Sequence, residues 1–265
     1  MVGDIIGFLG GKAHVLEVGM DDENKTFQIA IDGPVAAGKG TVSKLVAERL
    51  GFLYVDTGAT YRVATLIAMR AGLSFAALDG QEEQAVEKLV GQVRAAKIML
   101  TRPEGEKKDG RFITVVVNDE DVSWAIRDER VSQNVALVAK ISEIRQVLVE
   151  VQQQIASAHD VVMEGRDITY RVLPGAALKI YLDAAVEERA KRRFGQLLDQ
   201  GKEVSFEKVK ADLVERDRID TQRETDPLKI LPDAWYLDTS TMGIEEVVET
   251  IVGRAREMMK DKEEK

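Results

Sequence analysis

The sequence predicts an α/β protein built on a parallel sheet that helices cover on both faces. Short apolar runs typical of buried strands alternate along the chain with amphipathic helical patterns. The first strand pattern, Gln28–Asp32, leads into a glycine-rich loop and then into a helix. The length of 265 residues fits one large domain of this kind, with room for an insert.

The glycine-rich loop is the most informative motif, because it has the Gly-x-x-x-x-Gly-Lys spacing of a phosphate-binding loop. Its glycines let backbone N–H groups surround an anion, the following helix adds its positive N-terminal end, and Lys39 supplies a mobile cation. The loop therefore predicts a site for a nucleoside triphosphate. The expected site residues are Gly33, Pro34, Val35, Ala36, Ala37, Gly38, Lys39, Gly40 and Thr41.

The next segments predict further elements and an insert. A strand is expected at 52–55, and helices at 58–71 and 81–93. The strand-like runs 97–101 and 112–117, separated by a polar loop, predict a β-hairpin. A hairpin inside an alternating α/β chain indicates an inserted subdomain.

The alternation then returns. The expected elements are helices between 131 and 155, strands at 160–164 and 178–182, charged helices at 185–199 and 205–218, a strand at 235–238 and a helix at 244–259. Ligands of such sheets bind beyond the carboxyl ends of the strands.

Composition excludes several classes of function. The chain has no cysteine, which excludes disulfides and thiolate metal sites and suits a reducing cytosol. Its net charge of −9 argues against a broad nucleic-acid footprint. We find no apolar stretch long enough to span a membrane and no secretory leader in residues 1–26, whose role stays open.

The run Asp56–Arg62 follows the second predicted strand and opens a helix. Arg62 could reach a phosphate, while Thr57 and Tyr61 offer hydroxyl groups. The alternative is a helix cap formed by Asp56 or Thr57, and this run alone favours the cap.

The run Glu164–Asp167 ends a buried strand, where an acid can organise a magnesium shell. Arg166 and Asp167 would then face the same crevice. The alternative is a salt bridge between Arg166 and an acid close by in the sequence, but the position after a buried strand favours a functional role.

The run Glu215–Arg223 alternates acids and bases. It fits a solvated helix with ion pairs at helical spacing, or a mobile segment whose arginines close over phosphate. Arg145, elsewhere in the chain, could likewise be a surface charge or an anion ligand.

Taken together, these runs resemble the bacterial cytidylate kinases over about residues 28–259. The motifs that carry the resemblance are 31–34, 38–41, 56–62, 122–123 with 126–127, 164–167, 215–217, Asp220, Arg223, 226–228 and 233–234.

The resemblance implies an architecture. It implies a core of five parallel strands within a kinase domain of residues 27–265. A monophosphate-binding insert is expected at about 95–127, and an arginine-bearing lid at about 200–225.

The resemblance also implies an activity, the transfer of phosphate from ATP to CMP, and to dCMP, with Mg²⁺ as cofactor. The implied catalytic residues are Lys39, Arg166, Arg216 and Arg223. The implied CMP-binding residues are Thr57, Arg62, Arg145, Asp167, Asp220 and Arg223. Glu164, through water, and Thr41 are the expected metal ligands. We expect a cytoplasmic monomer that binds neither nucleic acid nor membrane.

The chain departs from the family pattern in three places. Val35 and Ala36 stand where a small polar residue and a glycine are usual, Ile168 and Thr169 where the family has Gly-Thr, and Ile219 at an often basic lid position. Two rival functions stay open. One is a kinase for another small acceptor such as UMP or AMP, and the other is a nucleotide-binding switch without an acceptor.

Overall fold

A computed structural model describes residues 26–103, 109–111 and 113–263. The predicted N-terminal extension before residue 26, most of the hairpin loop and Phe112 lie outside these residues. The chain divides into two compact units. The described part of the first unit comprises Thr26 and residues 55–158, and the second comprises residues 27–54 and 159–263.

The helices and strands of the described residues alternate along most of the chain. In order they are β1 Gln28–Asp32, α1 Lys39–Leu50, β2 Leu53–Asp56, α2 Thr57–Arg70, α3 Phe75–Asp79, α4 Glu83–Ala95, β3 Ile98–Thr101, β4 Thr114–Val117, β5 Glu120–Asp121, α5 Glu129–Val138, α6 Ser142–Ala158, β6 Val161–Gly165, β7 Leu178–Asp183, α7 Val186–Asp199, α8 Phe206–Gln222, β8 Trp235–Asp238 and α9 Ile244–Glu263.

The main sheet is five-stranded, with the order β2-β6-β1-β7-β8. β1 is the central strand and pairs in parallel with both β6 and β7. Ala30, Ile31 and Asp32 are fully buried, as expected for a central strand that is covered on both faces. The predicted α/β class with a five-stranded parallel sheet is confirmed, and β1 and β8 have the predicted bounds.

The core of the second unit forms where α1 and α9 pack on this sheet. Val42 and Val46 of α1 are buried in it, and Leu45 and Leu50 pack against it, which confirms the predicted apolar face. Burial of such side chains is the main stabilising contribution to this layer, at about 1.5–3 kcal/mol for each large aliphatic side chain. The layer holds α1 firmly behind the glycine-rich loop.

The first unit contains α2 to α6 and an antiparallel sheet of β3, β4 and β5. The two long strands of the predicted hairpin pair in register from Ile98–Val117 to Thr101–Thr114. Sequence patterns missed several short elements, among them α3 and β5. α3 spans a single turn and a half, capped by Ser74, and the two residues of β5 are exposed, so neither has a hydrophobic period.

Gly33, directly after β1, has no room for a side chain. Its φ is +154°, and a Cβ atom placed there would lie 2.0 Å from the Leu182 carbonyl oxygen of β7. The first turn of the glycine-rich loop therefore passes directly over the backbone of the neighbouring strand. This close approach fixes where the loop begins relative to the sheet.

We predict that Gly33→Ala destabilises the protein by more than about 3 kcal/mol, because the backbone of β1 or β7 must move to admit the methyl group. Gly195→Ala is the matched control, since Gly195 lies in α7 and a Cβ atom placed there would meet nothing within 4 Å. It should leave stability unchanged or raise it by up to about 1 kcal/mol. Thermal unfolding measures both, and equal stability of the two variants would contradict this account.

Candidate functional site

The glycine-rich loop ends at the N-terminus of α1. Gly38 has a left-handed φ of +93°, and α1 begins at the next residue, Lys39. No side chain of the described residues caps this helix end. The first-turn N–H groups of α1 and the helix dipole are the features that the predicted anion site requires.

Lys39 is buried within the loop that it serves. Its Nζ atom donates hydrogen bonds to the carbonyl oxygens of Gly33, at 2.8 Å, and of Pro34, at 2.7 Å. Burial, followed by repulsion from Arg166, lowers the pKa of Lys39 to about 7, although the charges of Glu164, Asp32 and Asp220 oppose this shift. Lys39, the predicted catalytic lysine, therefore lies within electrostatic range of Arg166 and Asp220. A phosphate group bound beside Lys39 would favour the charged form of its amine and raise its pKa.

Gly40 stands where the general motif has a hydroxyl residue, and the structure supplies a reason. A Cβ atom at position 40 would lie 3.0 Å from Oε1 of Glu164. The same Oε1 accepts a hydrogen bond of 2.8 Å from the Tyr54 hydroxyl group. The Glu164 carboxylate is thus fixed against the start of α1, and glycine makes room for it.

Ala36 departs from the family pattern at a position whose backbone conformation favours glycine. It adopts a left-handed φ of +60°, which alanine disfavours by about 1–2 kcal/mol. The side chains of Val35 and Ala36 pack against an apolar cluster on α7 and α8, built around Ala190, Val209 and Leu213. The loop therefore has an apolar attachment to these two helices.

Asp32, at the end of β1, organises the turn that follows β6. Its buried carboxylate accepts hydrogen bonds from the Ile168 N–H group at 2.9 Å and from the N–H and hydroxyl groups of Thr169 at 2.9 and 2.7 Å. Burial raises the pKa of Asp32 in spite of these bonds. The turn is therefore ordered although Ile168 and Thr169 depart from the family pattern. Arg166 and Asp167 directly precede this turn.

Arg166 contacts α8 directly. Its Nε atom lies 2.7 Å from Oδ2 of Asp220, and Nε of Arg216 lies 3.4 Å from Oδ1 of the same carboxylate. Burial would raise the pKa of Asp220, but Arg166, Arg216 and Arg223 together hold this pKa below its usual range. The expected alternative, a pair with an acid near Arg166 in the sequence, is wrong, because the partner belongs to another element.

The side chains of Arg223 and Asp167 lie close together. Their charged atoms are 3.9 Å apart, and Nε of Arg223 also donates to the Asp226 carbonyl oxygen at 2.6 Å. Arg218, by contrast, pairs with Glu215 at the surface of α8, as the solvated-helix interpretation expects. The run 215–223 therefore contains a pair within α8, Arg218 with Glu215, and a pair to another segment, Arg223 with Asp167.

The remaining predicted acceptor residues belong to the first unit. Thr57 and Arg62 lie on α2, and Arg145 lies on α6. The Arg145 guanidinium stacks over the Tyr61 ring at 5.3 Å, so it contacts the helix that carries the other two. Arg62 donates to the Ser132 hydroxyl group at 2.8 Å. Asp56 occupies the cap position of α2 without a side-chain hydrogen bond to it, so the capping alternative is wrong for this residue.

Sequence reasoning missed two arginines of α7. Arg189 donates to the Val35 carbonyl oxygen at 3.0 Å, and Arg192 to the Ala37 carbonyl oxygen at 3.4 Å. Both therefore contact the glycine-rich loop. A charged helical run contains no signal that separates a buried arginine from a solvated one, and only the fold makes the distinction.

The fold is that of an α/β protein with a five-stranded parallel sheet, and a glycine-rich loop of Gly-x-x-x-x-Gly-Lys spacing follows its central strand. A family model described as cytidylate kinase matches residues 29–257. A cytidylate kinase of Streptococcus pneumoniae is 44% identical over 235 residues, which cover 89% of this chain and all of the relative. One of Bacillus licheniformis is 43% identical over 86% of this chain and 95% of the relative.

The chain belongs to the cytidylate kinase family, because both the family model and these relatives span most of it. A solved structure of a putative kinase from Chloroflexus aurantiacus is also similar, with a TM-score of 0.45 and 16% identity over 92% of this chain and 99% of that one.

We predict that triphosphate binding takes up about one proton near pH 8.5, because Lys39 is mostly neutral in the free protein there and must be charged beside phosphate. Affinity for ATP should therefore fall by up to about tenfold per unit between about pH 8 and 9. Calorimetry in two buffers of different ionisation enthalpy measures the uptake. Lys39→Met is the control and should show none, whereas equal uptake by both proteins would contradict the assignment.

Proposed function

We propose that the protein transfers the terminal phosphate of ATP to CMP, and to dCMP, forming CDP or dCDP and ADP. Family membership supports the reaction class. The single observation that carries the proposal is a chain of electrostatic interactions: Arg166 acts on the charge of Lys39 and forms an ion pair with Asp220. These interactions join the glycine-rich loop to α8, which is expected to contribute to the acceptor site.

In the proposed reaction an oxygen of the CMP phosphate attacks the terminal phosphorus of ATP, and the bond from that phosphorus to the β-phosphate oxygen breaks. No covalent intermediate with the protein is needed, so catalysis depends on alignment and charge neutralisation. Lys39 and the loop N–H groups would hold the triphosphate. Arg166, Arg216 and Arg223 would neutralise the transferring group, for which a planar guanidinium is well suited.

Mg²⁺ is the proposed cofactor and would neutralise charge on the phosphates of ATP. The residues present fit it: Glu164 is fixed beside the start of α1, and the side chain of Thr41 is exposed in the first turn of this helix. The described residues contain no cluster of three acidic or histidine ligands. This suits a cation that keeps several waters and binds mainly to substrate phosphate. Glu164, through water, is therefore the proposed main ligand.

For the acceptor, we assign Thr57, Arg62 and Arg145 of the first unit and Asp167, Asp220 and Arg223 of the second. Arg62 and Arg223 would hold the monophosphate, and Asp220 would face the sugar. Arg145 and Asp167 would read the base, because the amino group of cytosine donates to a carboxylate. The pairing of Arg223 with Asp167 supports placing these two side chains in one site.

We further propose that residues 95–127 act as the monophosphate-binding insert and residues 200–225 as a closing lid within a kinase domain of residues 27–265. Closure would keep water from the triphosphate. No helix in the described part of the chain is long and apolar enough to cross a bilayer. A cytoplasmic monomer, with the nucleotides as its partners and no nucleic acid, stays our proposal.

A panel of acceptors tests the proposed function. With ATP and Mg²⁺, phosphorylation should be fastest with CMP or dCMP and slower with UMP and AMP. Lys39→Ala should lower turnover at least about a thousandfold, because the loop loses its cation. Lys44→Ala, in the same helix with its amine on Glu48 at 3.5 Å, is the matched control and should keep near-normal turnover. ATP hydrolysis unaffected by any acceptor would instead favour a nucleotide-binding switch.

Base selection gives a separate prediction for Asp167. Asp167→Asn should lower kcat/KM for CMP by about tenfold or more, while kcat/KM for UMP falls less, because the lost carboxylate matters most for the cytosine amino group. Steady-state kinetics with both acceptors measure the ratio. An equal loss for CMP and UMP would contradict a role in reading the base.

A further inference from the structure

Arg189 of α7 forms a buried polar contact with the glycine-rich loop. It is only 3% exposed, although it is an arginine in a charged helix. Its Nε atom donates to the Ala184 carbonyl oxygen at 2.9 Å, and one terminal nitrogen donates to the Val35 carbonyl oxygen at 3.0 Å. The guanidinium therefore fixes the loop backbone between its first glycine and Lys39.

Asp217 of α8 orients this guanidinium. Its Oδ2 atom lies 2.7 Å from the same terminal nitrogen of Arg189 that bonds Val35. Its other oxygen, Oδ1, is buried and has no hydrogen-bond partner among the described residues. A partly exposed carboxylate with one buried, unpartnered oxygen contributes little to stability, so the pair calls for another explanation.

The position of Asp217 supplies that explanation. It adjoins Arg216 in the sequence and precedes Asp220 by one helical turn, so α8 contacts the loop through Arg189 and contacts Arg166 through Asp220. Val35, whose carbonyl group accepts from Arg189, also packs its side chain on the apolar cluster of α7 and α8. One helix thus holds both the phosphate-binding loop and the proposed catalytic arginines.

We propose that Arg189 and Asp217 are positioning residues, which keep the loop N–H groups aimed at the phosphates of ATP. The proposal rests on the proposed function, because it assumes that ATP occupies this loop. It assigns the two residues no contact with substrate. Their effect passes through the Val35 carbonyl group, and ATP affinity reports it directly.

The experiment measures equilibrium affinity for ATP without acceptor, affinity for CMP, and thermal stability in each variant. Asp217→Ala should weaken ATP binding by about tenfold or more and change CMP binding by less than about threefold. Asp217→Asn should recover most of the affinity, because its amide oxygen still accepts from Arg189. The control is Glu187→Ala with Lys210→Ala, which breaks an exposed 2.5 Å pair between the same two helices without touching the loop. It should bind ATP normally.

A double variant, Arg189→Met with Asp217→Leu, separates positioning from stability. Apolar replacement of an ion pair that is largely removed from water often leaves stability unchanged or raised, so this variant should fold and still bind ATP weakly. Normal ATP affinity in this variant or in Asp217→Ala would overturn the proposal. A wild-type protein that binds ATP but phosphorylates no CMP would refute the proposed function alone, because positioning is measured by ATP binding.

Discussion

The structure depends above all on a buried amine that has no anionic hydrogen-bond partner among the described residues. Lys39 is bonded to two neutral carbonyl oxygens of its own loop, and burial together with Arg166 makes its charge costly. Two features fix the loop in this conformation. Gly33 lies directly against the backbone of β7, and α1, which follows the loop, packs in the hydrophobic core. A phosphate group is the ligand that would relieve both the desolvation of the amine and its repulsion by Arg166.

Around this amine, two side-chain networks fix the neighbouring segments. Asp32 organises the turn after β6, which carries Arg166 and Asp167. α8 meets this turn through Asp220 and meets the loop through Asp217 and Arg189. The arginines that would neutralise a transferring phosphate are therefore held by α8, the same helix that contacts the glycine-rich loop through Asp217 and Arg189.

Much of this was predictable from the sequence, and the limits have physical causes. The strands β1 and β8 were predicted from their apolar runs, and the turn between β1 and α1 was predicted from the spacing of its glycines and Lys39. The arginines 189 and 192 were missed because burial of a charged side chain depends on distant partners such as Val35. The sequence predicts Asp32 only as the last residue of a strand. The hydrogen bonds from residues 168 and 169 to its carboxylate become evident only in the folded structure. Short elements such as β5 lack a period long enough to detect.

The central claim is that one reaction unites the triphosphate loop with the residues assigned to CMP. A compound that joins adenosine to cytidine through a chain of phosphates tests it most directly, because it must occupy both sets of residues at once. We expect it to bind at least about a hundredfold more tightly than ATP, and to lose this advantage in both Lys39→Met and Asp167→Ala. Binding no tighter than that of ATP, and unaffected by Asp167→Ala, would contradict the account.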